Sequence, residues 1–386
     1  MEIYERAYEL KDEIIAHRRT LHQIAEVGME LPETVAYVKS ELAKMGYTPV
    51  DVGKGVCALV GKPGKTVLLR ADMDALSFPE QSGLPFAAKT GTCHACGHDI
   101  HTSVLLGAAK ILKEREAELQ GTVKLMFQPG EEPLEGAKNM VENGILKNPD
   151  VDYAVALHVR STEQTGIGYT PGVRYASSNN FALHVKGVAS HGAMPYNGVD
   201  PIMIASHIVI GIQELVSREV PFNENAVITI GQFTAGNSCN SIPAEVEIKG
   251  TMRSFSNKTR EHLKQRLPEL AESIAKSYRG RAELEWLSDV PVLVNDKYVM
   301  DICIDEMKKM AKGRFEVFES PASTGSEDFA VIAEEVPTFM FSLFLPDKES
   351  NVQYALHSPK VRFDESFMPV GTAAFVSCAE RLLREA

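Results

Sequence analysis

The chain has 386 residues, a formal net charge of −12, 44% hydrophobic residues and 24% charged residues. This length exceeds what one hydrophobic core usually reaches, so we expect two domains in a globular protein. The acidic balance argues against nucleic-acid binding, which needs a basic face, and no apolar run is long enough to span a bilayer.

The number and spacing of the cysteines indicate whether the protein belongs to a reducing or an oxidising compartment. The six cysteines are irregularly spaced in a long chain, which is not the pattern of a disulfide framework. The first 18 residues form a charged amphipathic pattern without the apolar core of a signal peptide. We therefore expect a cytoplasmic protein without a membrane partner, in which a cysteine cluster indicates metal binding or catalysis.

The N-terminal stretch 2–22 has apolar residues at helical spacing and predicts an amphipathic helix. His17 and His22 fall among its polar positions, so we expect both to be solvated or to cap the helix. A second helix is predicted over 31–45, with Gly46 after its last turn.

Three apolar runs follow, each ending in residues that can bind a cation. The run 67–69 leads to Asp72 and Asp74, the run 123–127 leads to Glu131 and Glu132, and the run 151–157 leads to His158. Helical patterns separate the runs, as in the strands of a mainly parallel sheet that is buried on both faces. Ligands bind at the carboxyl ends of such strands, so we expect these side chains to meet at one sheet edge.

The stretch 92–102 contains two thiols, three imidazoles and one carboxylate. Gly97 lets the backbone turn between Cys96 and His98, so both side chains can point to one metal ion. A helix is predicted directly afterwards, and its N-terminus would stabilise a thiolate. Two alternatives are a redox pair of Cys93 and Cys96, or half of a structural zinc site.

The pattern changes after residue 176. Strand and helix patterns over 177–289 follow the order β-α-β-β-α-β, which is a ferredoxin-like unit. From residue 290 the α/β pattern resumes. The sequence therefore predicts an α/β protein with a mainly parallel-sheet catalytic domain (1–176 and 290–386) and an inserted α+β domain (177–289).

Eight short motifs occur in a characteristic order: Arg70-Ala-Asp-Met-Asp-Ala-Leu76, His94-Ala-Cys-Gly-His-Asp-Ile-His-Thr102, Phe127-Gln-Pro-Gly-Glu-Glu132, Leu157-His158, Ser190-His-Gly-Ala-Met-Pro195 with Gly198-Val-Asp-Pro-Ile202, Asn240-Ser-Ile-Pro243 with Gly250-Thr-Met-Arg253, Gly325-Ser-Glu-Asp-Phe329 and Leu356-His357-Ser-Pro359. Through them the chain resembles the M20 metallopeptidase family, specifically its amidohydrolase branch, over essentially its whole length. That branch contains hippurate hydrolases, N-acetyl-amino-acid deacetylases and auxin-conjugate hydrolases. The resemblance implies that the inserted domain is a lid or dimerisation domain.

The resemblance also implies a site for two divalent metal ions, with the ligands Cys96, His98, Glu132, His158 and His357. A thiolate bridge favours zinc, although imidazole and carboxylate ligands also admit manganese, nickel or iron.

By resemblance Glu131 is the general base. In an extended segment neighbouring side chains point to opposite sides, so Glu132 would reach the metal while Glu131 faces the water. Asp74 and Asp99 are candidates to orient the ligand imidazoles. Asp72 either does the same or forms a turn.

In the inserted domain, the resemblance makes His191 an oxyanion donor, acting in its own subunit or across a dimer. Asn240 and Arg253 would bind the substrate carboxylate, although a structural ion pair is an alternative for Arg253. Backbone N–H groups of Gly325 and Ser326 would also contact the carboxylate. Glu327 and Asp328 would support this region.

The implied function is hydrolysis of N-acyl amino acids, of the N-acetyl or N-benzoyl type, through a metal-activated water, by a homodimer or higher homo-oligomer. Three alternatives stay open: a dipeptidase or aminoacyl-glutamate carboxypeptidase on the same scaffold, a non-catalytic N-acyl amino acid binding protein, and a thiol redox protein. Cys93 departs from the family pattern, as does the segment 346–354, which we expect to line the acyl or leaving-group pocket.

Overall fold

The computed structural model of the chain describes residues 2–349 and 352–385. The chain divides into two compact units, each described separately below. Unit 1 comprises Met1–Arg174, Val294–Ala322 and Asp328–Ala386, and unit 2 comprises Tyr175–Leu293 and Ser323–Glu327.

Unit 1 is built on a mixed, mainly parallel sheet of eight strands in the order β1-β2-β4-β3-β5-β16-β6-β15. The strands are β1 (Val50–Val52), β2 (Gly55–Gly61), β3 (Lys65–Asp72), β4 (Gly121–Gln128), β5 (Tyr153–Arg160), β6 (Gly166–Tyr169), β15 (Glu316–Glu319) and β16 (Thr338–Phe344). The central strands β4, β3, β5 and β16 are parallel to one another. Every residue of β4 and β16 is buried, and for β4 the uninterrupted apolar run 123–127 indicated this.

In the described part of unit 1, the α-helices are α1 (Ile3–Glu9), α2 (Lys11–Gln23), α3 (Pro32–Lys44), α4 (His98–Glu114), α5 (Gly136–Glu142), α8 (Lys297–Ala311), α9 (Ala330–Ala333) and α10 (Met368–Leu382). One apolar core joins this sheet to residues of α2, α4, α8 and α10. Two short strands, β7 (Gly172–Tyr175) and β14 (Leu293–Asn295), include the points where the chain passes between the units.

Helix α4 carries one predicted metal ligand, His98, and Cys96 lies just before it. The helix begins at His98, directly after Gly97, whose φ of 84° lies in the left-handed region. A Cβ at position 97 would also lie 2.3 Å from Val159 Cγ2, so only glycine fits here. The expected sharp turn between Cys96 and His98 is confirmed.

Unit 2 has the predicted β-α-β-β-α-β order. Its main elements are β8 (Asn179–Lys186), α6 (Pro201–Glu214), β10 (Ala226–Ala235), β12 (Glu245–Ser254), α7 (Asn257–Ser277) and β13 (Arg281–Trp286). The four strands form an antiparallel sheet in the order β10-β12-β8-β13. Its core combines apolar residues of these strands with those of the two helices. A separate pair is formed by β9 (Ser190–His191) and β11 (Ser241–Ile242).

The predicted inserted domain, 177–289, lies within Tyr175–Leu293, while its role as a lid or in dimerisation stays a prediction. The segment Ser323–Glu327, expected in the catalytic domain, groups with unit 2. The reason is local: the Ala176 N–H donates to the carbonyl oxygens of Ser323 and Gly325, at 3.2 and 3.1 Å.

Among the described residues, no helix combines the length and apolar character needed to cross a membrane. Ser350 and Asn351, which belong to the segment 346–354 expected to line a pocket, lie outside the described residues.

Candidate metal centre

Five side chains from four separate segments of the sequence converge in unit 1. We call Cys96, His98, Glu132, His158 and His357 the ligand cluster. Ligand atoms of Cys96, His98 and His158 lie within 4.8 Å of one another, as do those of Cys96, Glu132 and His357. Cys96 Sγ is 3.5 Å from His158 Nε2, and Glu132 Oε1 is 3.6 Å from His357 Nε2. The side chains therefore form two overlapping groups of possible ligands that share Cys96.

The ligand cluster has the chemistry of a cation site. Both ring nitrogens of His98 and the Oε1 atom of Glu132 are buried without a hydrogen-bond partner among the described residues. Such groups cost free energy to bury unless something binds them. The sulfur, imidazole and carboxylate donors are those that zinc and related divalent ions take. The residues thus fit a divalent metal.

The electrostatic environment also favours positive charge. Burial alone would lower the pKa of His98, but the carboxylates of Asp72 and Asp74 and the sulfur of Cys96 raise it well above its usual value. The same negative surroundings would stabilise a metal cation.

Such a cation would favour deprotonation of the Cys96 thiol. We expected the N-terminus of α4 to stabilise a thiolate, but burial raises the pKa of Cys96 well above its usual value. Burial likewise raises the pKa of Cys93 to about 12. Both thiols are therefore protonated in the protein alone, which weighs against a redox pair that reacts as a thiolate.

Glu131 and Glu132 lie in a turn, so the expectation of an extended segment is wrong. The Leu134 N–H donates to the Glu131 carbonyl, at 2.8 Å. Both carboxylates face the cluster: Glu131 Oε2 and Glu132 Oε1 lie 3.9 and 4.0 Å from His98 Nε2. The turn therefore places the carboxylates of Glu132, the ligand candidate, and Glu131, the base candidate, on the same side, facing His98.

Asp74 fixes this turn. Its two carboxylate oxygens accept the backbone N–H groups of Glu131 and Glu132, each at 3.0 Å. Its Oδ1 atom also lies 3.3 Å from His98 Nδ1. Asp74 thus touches both the glutamate pair and a ligand imidazole.

A second buried group adjoins the ligand cluster, and we call Arg70, Asp72, Gln128 and Asp328 the arginine network. Arg70 donates to Asp72 at 2.6 Å, to Gln128 at 2.9 Å and to Asp328 at 3.0 Å. Gln128 Nε2 and the Ala137 N–H also donate to Asp328. Asp72 is therefore part of an ion-pair network rather than simply a turn residue.

The expectation for His17 and His22 is wrong, since both are buried. His22 Nδ1 is 2.9 Å from Asp99 Oδ2, and its Nε2 is 3.0 Å from Glu80 Oε2. Arg18, one turn earlier on α2, also donates to Asp99. Burial opposes charge on His22, but the hydrogen bonds to Asp99 and Glu80 raise its pKa to about 9. Asp99 therefore binds Arg18 and His22 of α2.

His101 was also missed as a site residue. It stands one helical turn after His98, a spacing that places both rings on the same face of α4. That spacing is the signal that could have found it. Its ring is buried and contacts Asp72.

In unit 2 the structure brings His191 and Asn240 together. His191 pairs with Ser241 between β9 and β11, and the Gly192 N–H donates to the Asn240 carbonyl, at 2.8 Å. The His191 ring is exposed, and its Nδ1 accepts the Ala193 N–H, at 3.0 Å. Both residues thus occupy one exposed loop pair.

Arg253 and Ser326 meet elsewhere in unit 2. Arg253 is half-buried and donates to Ser326 Oγ at 2.7 Å, and burial lowers its pKa. The Gly325 N–H donates to Ser323 Oγ, at 3.2 Å. The alternative of an ion pair for Arg253 has no support here, because its described partner is a hydroxyl group.

The chain matches a known protein family over most of its length. Residues 68–381 match Peptidase family M20/M25/M40. This chain belongs to peptidase family M20. The resemblance seen in the motifs is confirmed, and the chain is a metal-dependent amide hydrolase.

Two curated relatives and one solved structure illustrate the similarity. The M20 chain is 36% identical to N-acetyl-L-cysteine deacetylase of Bacillus subtilis, over 97% of this chain and 89% of the relative. It is 37% identical to IAA-amino acid hydrolase ILR1-like 4 of Arabidopsis thaliana, over 97% and 86% of the two chains. A Bacillus subtilis structure described as a dinuclear metal binding peptidase from the M20 family superposes with a TM-score of 0.81 at 31% identity, covering 98% and 99% of the chains.

Proposed function

We propose that this M20 enzyme hydrolyses N-acyl amino acids to a carboxylate and a free amino acid. The observation that carries the proposal is the ligand cluster. Its sulfur, imidazole and carboxylate donors come from separate segments, and buried atoms of two of them, His98 and Glu132, have no hydrogen-bond partner among the described residues. The names of the two curated relatives support the substrate class, because each describes release of an amino acid from an N-acyl or N-conjugated form.

Cys96, His98, Glu132, His158 and His357 would hold two divalent metal ions, for which zinc fits the sulfur and imidazole donors best. Bound there, divalent ions supply Lewis acidity that lowers the pKa of water and polarises an amide carbonyl. The structure described as a dinuclear metal binding peptidase supports the number of ions.

Glu131 is the proposed general base. It would accept a proton from the attacking water and return that proton to the leaving amine nitrogen. Its Oε2 atom lies 3.9 Å from His98 Nε2, within the same group of donors as Glu132. Asp74 would hold Glu131 in place through the backbone N–H.

His191 is the proposed oxyanion donor. Because Nδ1 accepts the Ala193 N–H, the proton of a neutral ring sits on Nε2. That exposed N–H can donate to the carbonyl oxygen of a substrate as negative charge develops. Loss of one such donor typically lowers the rate by roughly 10²–10³.

Arg253, Asn240, Gly325 and Ser326 are the proposed contacts for the substrate carboxylate. The guanidinium of Arg253 is suited to a carboxylate because it presents parallel N–H donors. Ser326 Oγ supports it through the 2.7 Å hydrogen bond. Neutralising the substrate carboxylate should therefore weaken binding.

We further propose a homodimer or higher homo-oligomer in the cytoplasm. The solvent-exposed Met203 and Ile210 on α6 support self-association. All six cysteines are free, as expected in a reducing compartment.

The test is a substrate panel on metal-loaded enzyme, with release of free amino acid as the readout. N-acetyl and N-benzoyl amino acids, their carboxamide analogues and unblocked dipeptides would be compared at equal concentration. We expect the N-acyl amino acids to have the highest kcat/KM. The kcat/KM of each carboxamide analogue should be at least tenfold lower than that of the matching N-acyl amino acid. Faster cleavage of dipeptides would support the peptidase alternative, and binding without turnover of any substrate would support the non-catalytic one.

A further inference from the structure

Two buried histidines make hydrogen bonds to the same residue, Val159. The Val159 N–H donates to His101 Nε2, at 2.9 Å. His158 Nδ1 lies 2.7 Å from the Val159 carbonyl oxygen. The two imidazoles are themselves close, with ring centroids 4.8 Å apart. Val159 thus links a proposed metal ligand, His158, to a histidine that has no assigned role.

These contacts fix where the protons are. A backbone N–H can only donate, so His101 Nε2 must carry a lone pair and the ring must be neutral. The remaining proton of His101 is then on Nδ1, which contacts Asp72 Oδ1. A carbonyl oxygen can only accept, so His158 Nδ1 carries a proton and its Nε2 is the ring nitrogen that faces Cys96.

Asp72 is itself held in place, so it can orient His101. Its other oxygen, Oδ2, accepts from the buried guanidinium of Arg70, at 2.6 Å. Arg70 is in turn bonded to Gln128 and Asp328. The order of contacts therefore runs from the arginine network through Asp72 and His101 to the Val159 backbone.

By distance alone, His101 could be taken for a ligand. Its ring forms a group of possible donors with Asp72 and His98, with ligand atoms within 4.8 Å of one another. Both of its ring nitrogens, however, already have protein partners. A metal ion at Nε2 would have to displace the Val159 N–H, and one at Nδ1 would have to displace Asp72.

We infer that His101 is a positioning residue that does not bind metal. It holds the Val159 backbone in place through the Val159 N–H, and the Val159 carbonyl oxygen in turn orients the His158 ring. The inference rests on the proposed ligand set, in which His158 is a ligand through Nε2. Groups that orient a ligand in this way commonly change metal affinity by about 10–100-fold when they are removed.

Two substitutions separate the hydrogen bonds of His101. In His101→Gln the amide oxygen can reach the position of Nε2 and accept the Val159 N–H. In His101→Asn the shorter side chain can donate to Asp72 but does not reach Val159. The two variants thus form a pair in which only His101→Gln keeps the contact to the Val159 N–H.

The experiment measures metal equivalents, metal affinity by chelator competition, and the visible absorption spectrum of the cobalt-substituted enzyme. We expect both variants to bind as many equivalents as the unsubstituted enzyme when metal is in excess. His101→Gln should keep the affinity within about threefold and leave the cobalt spectrum unchanged, whereas His101→Asn should lose about 10–100-fold in affinity.

Loss of one metal equivalent or of an imidazole signature in His101→Gln would overturn the inference, as would equal affinities of the two variants. If neither variant folds, ¹⁵N-histidine NMR of the unsubstituted zinc enzyme decides: a neutral ring protonated at Nδ1 supports the inference, and a metal-bound Nε2 overturns it. An unsubstituted enzyme that binds no metal would instead refute the proposed ligand set, so the two failures are distinguishable.

Discussion

The arginine network is buried in unit 1, and the ligand cluster is buried at Cys96, His98 and His158 but exposed at His357; the two groups also differ in completeness. In the arginine network, the guanidinium lies between two carboxylates and an amide, and each contact is a hydrogen bond of 2.6 to 3.0 Å. In the ligand cluster, His98 and Glu132 have buried polar atoms without a hydrogen-bond partner among the residues described.

This contrast distinguishes buried polar groups that support the fold from buried polar groups that bind a ligand. Burying a charge is tolerated when protein partners neutralise it, and the arginine network contains its own counter-ions. The ligand cluster instead keeps buried donor atoms of His98 and Glu132 without a hydrogen-bond partner among the described residues, which a bound metal ion would complete. A buried polar group whose hydrogen bonds are all made therefore indicates a supporting role. A buried polar group with unpaired donor atoms indicates a binding role.

The largest expected effect comes from Glu131→Gln. The backbone N–H that binds Asp74 is retained, so the turn and the ligand cluster should stay intact. Turnover should fall by roughly 10²–10⁴, because the amide cannot accept a proton. The measurement is kcat on an N-acetyl amino acid together with metal content. Wild-type turnover at full metal content would remove Glu131 from its proposed role.

A smaller effect is expected from His22, whose imidazole is hydrogen-bonded to the carboxylates of Asp99 and Glu80. Its pKa is raised to about 9 in the folded protein, against about 6.5 when unfolded. A raised pKa contributes stability that is fully present below pH 6.5 and is lost as pH rises towards 9. The linked loss is roughly 3 kcal/mol in the free energy of unfolding.

Urea unfolding of wild type and His22→Gln at pH 6 and pH 9.5 measures this loss. Glutamine keeps a hydrogen-bonding side chain but cannot gain a proton. The wild type should therefore lose more stability than the variant between the two pH values. An equal loss in both proteins would show that the His22 group is not held charged by Asp99 and Glu80.

Much of this site could be predicted from the sequence, where local rules apply. Gly97 predicted the turn that places Cys96 beside His98, and the apolar runs predicted buried parallel strands. In unit 2, Asp200 directly precedes Pro201 at the start of α6 and accepts the backbone N–H groups of Ile202 and Met203, as an N-cap residue does. These features depend on residues that are neighbours in sequence.

The remaining features depend on long-range packing. Helical spacing placed His22 on one side of α2, but its partner Asp99 is 77 residues away. The sequence therefore could not show that this side is covered. For His101, helical spacing places the ring on the same face of α4 as His98, but its contact with Val159, 58 residues away, depends on packing. For Glu131 and Glu132, the turn is set by their bonds to Asp74, which propensity does not describe.

The central claim is that the ligand cluster binds two metal ions, and metal content tests it most directly. Elemental analysis would compare the wild type with Cys96→Ala and with Cys93→Ala, a buried neighbouring thiol outside the cluster. We predict two equivalents in the wild type and in Cys93→Ala, and a loss of at least one in Cys96→Ala. Two full equivalents in Cys96→Ala would contradict the account.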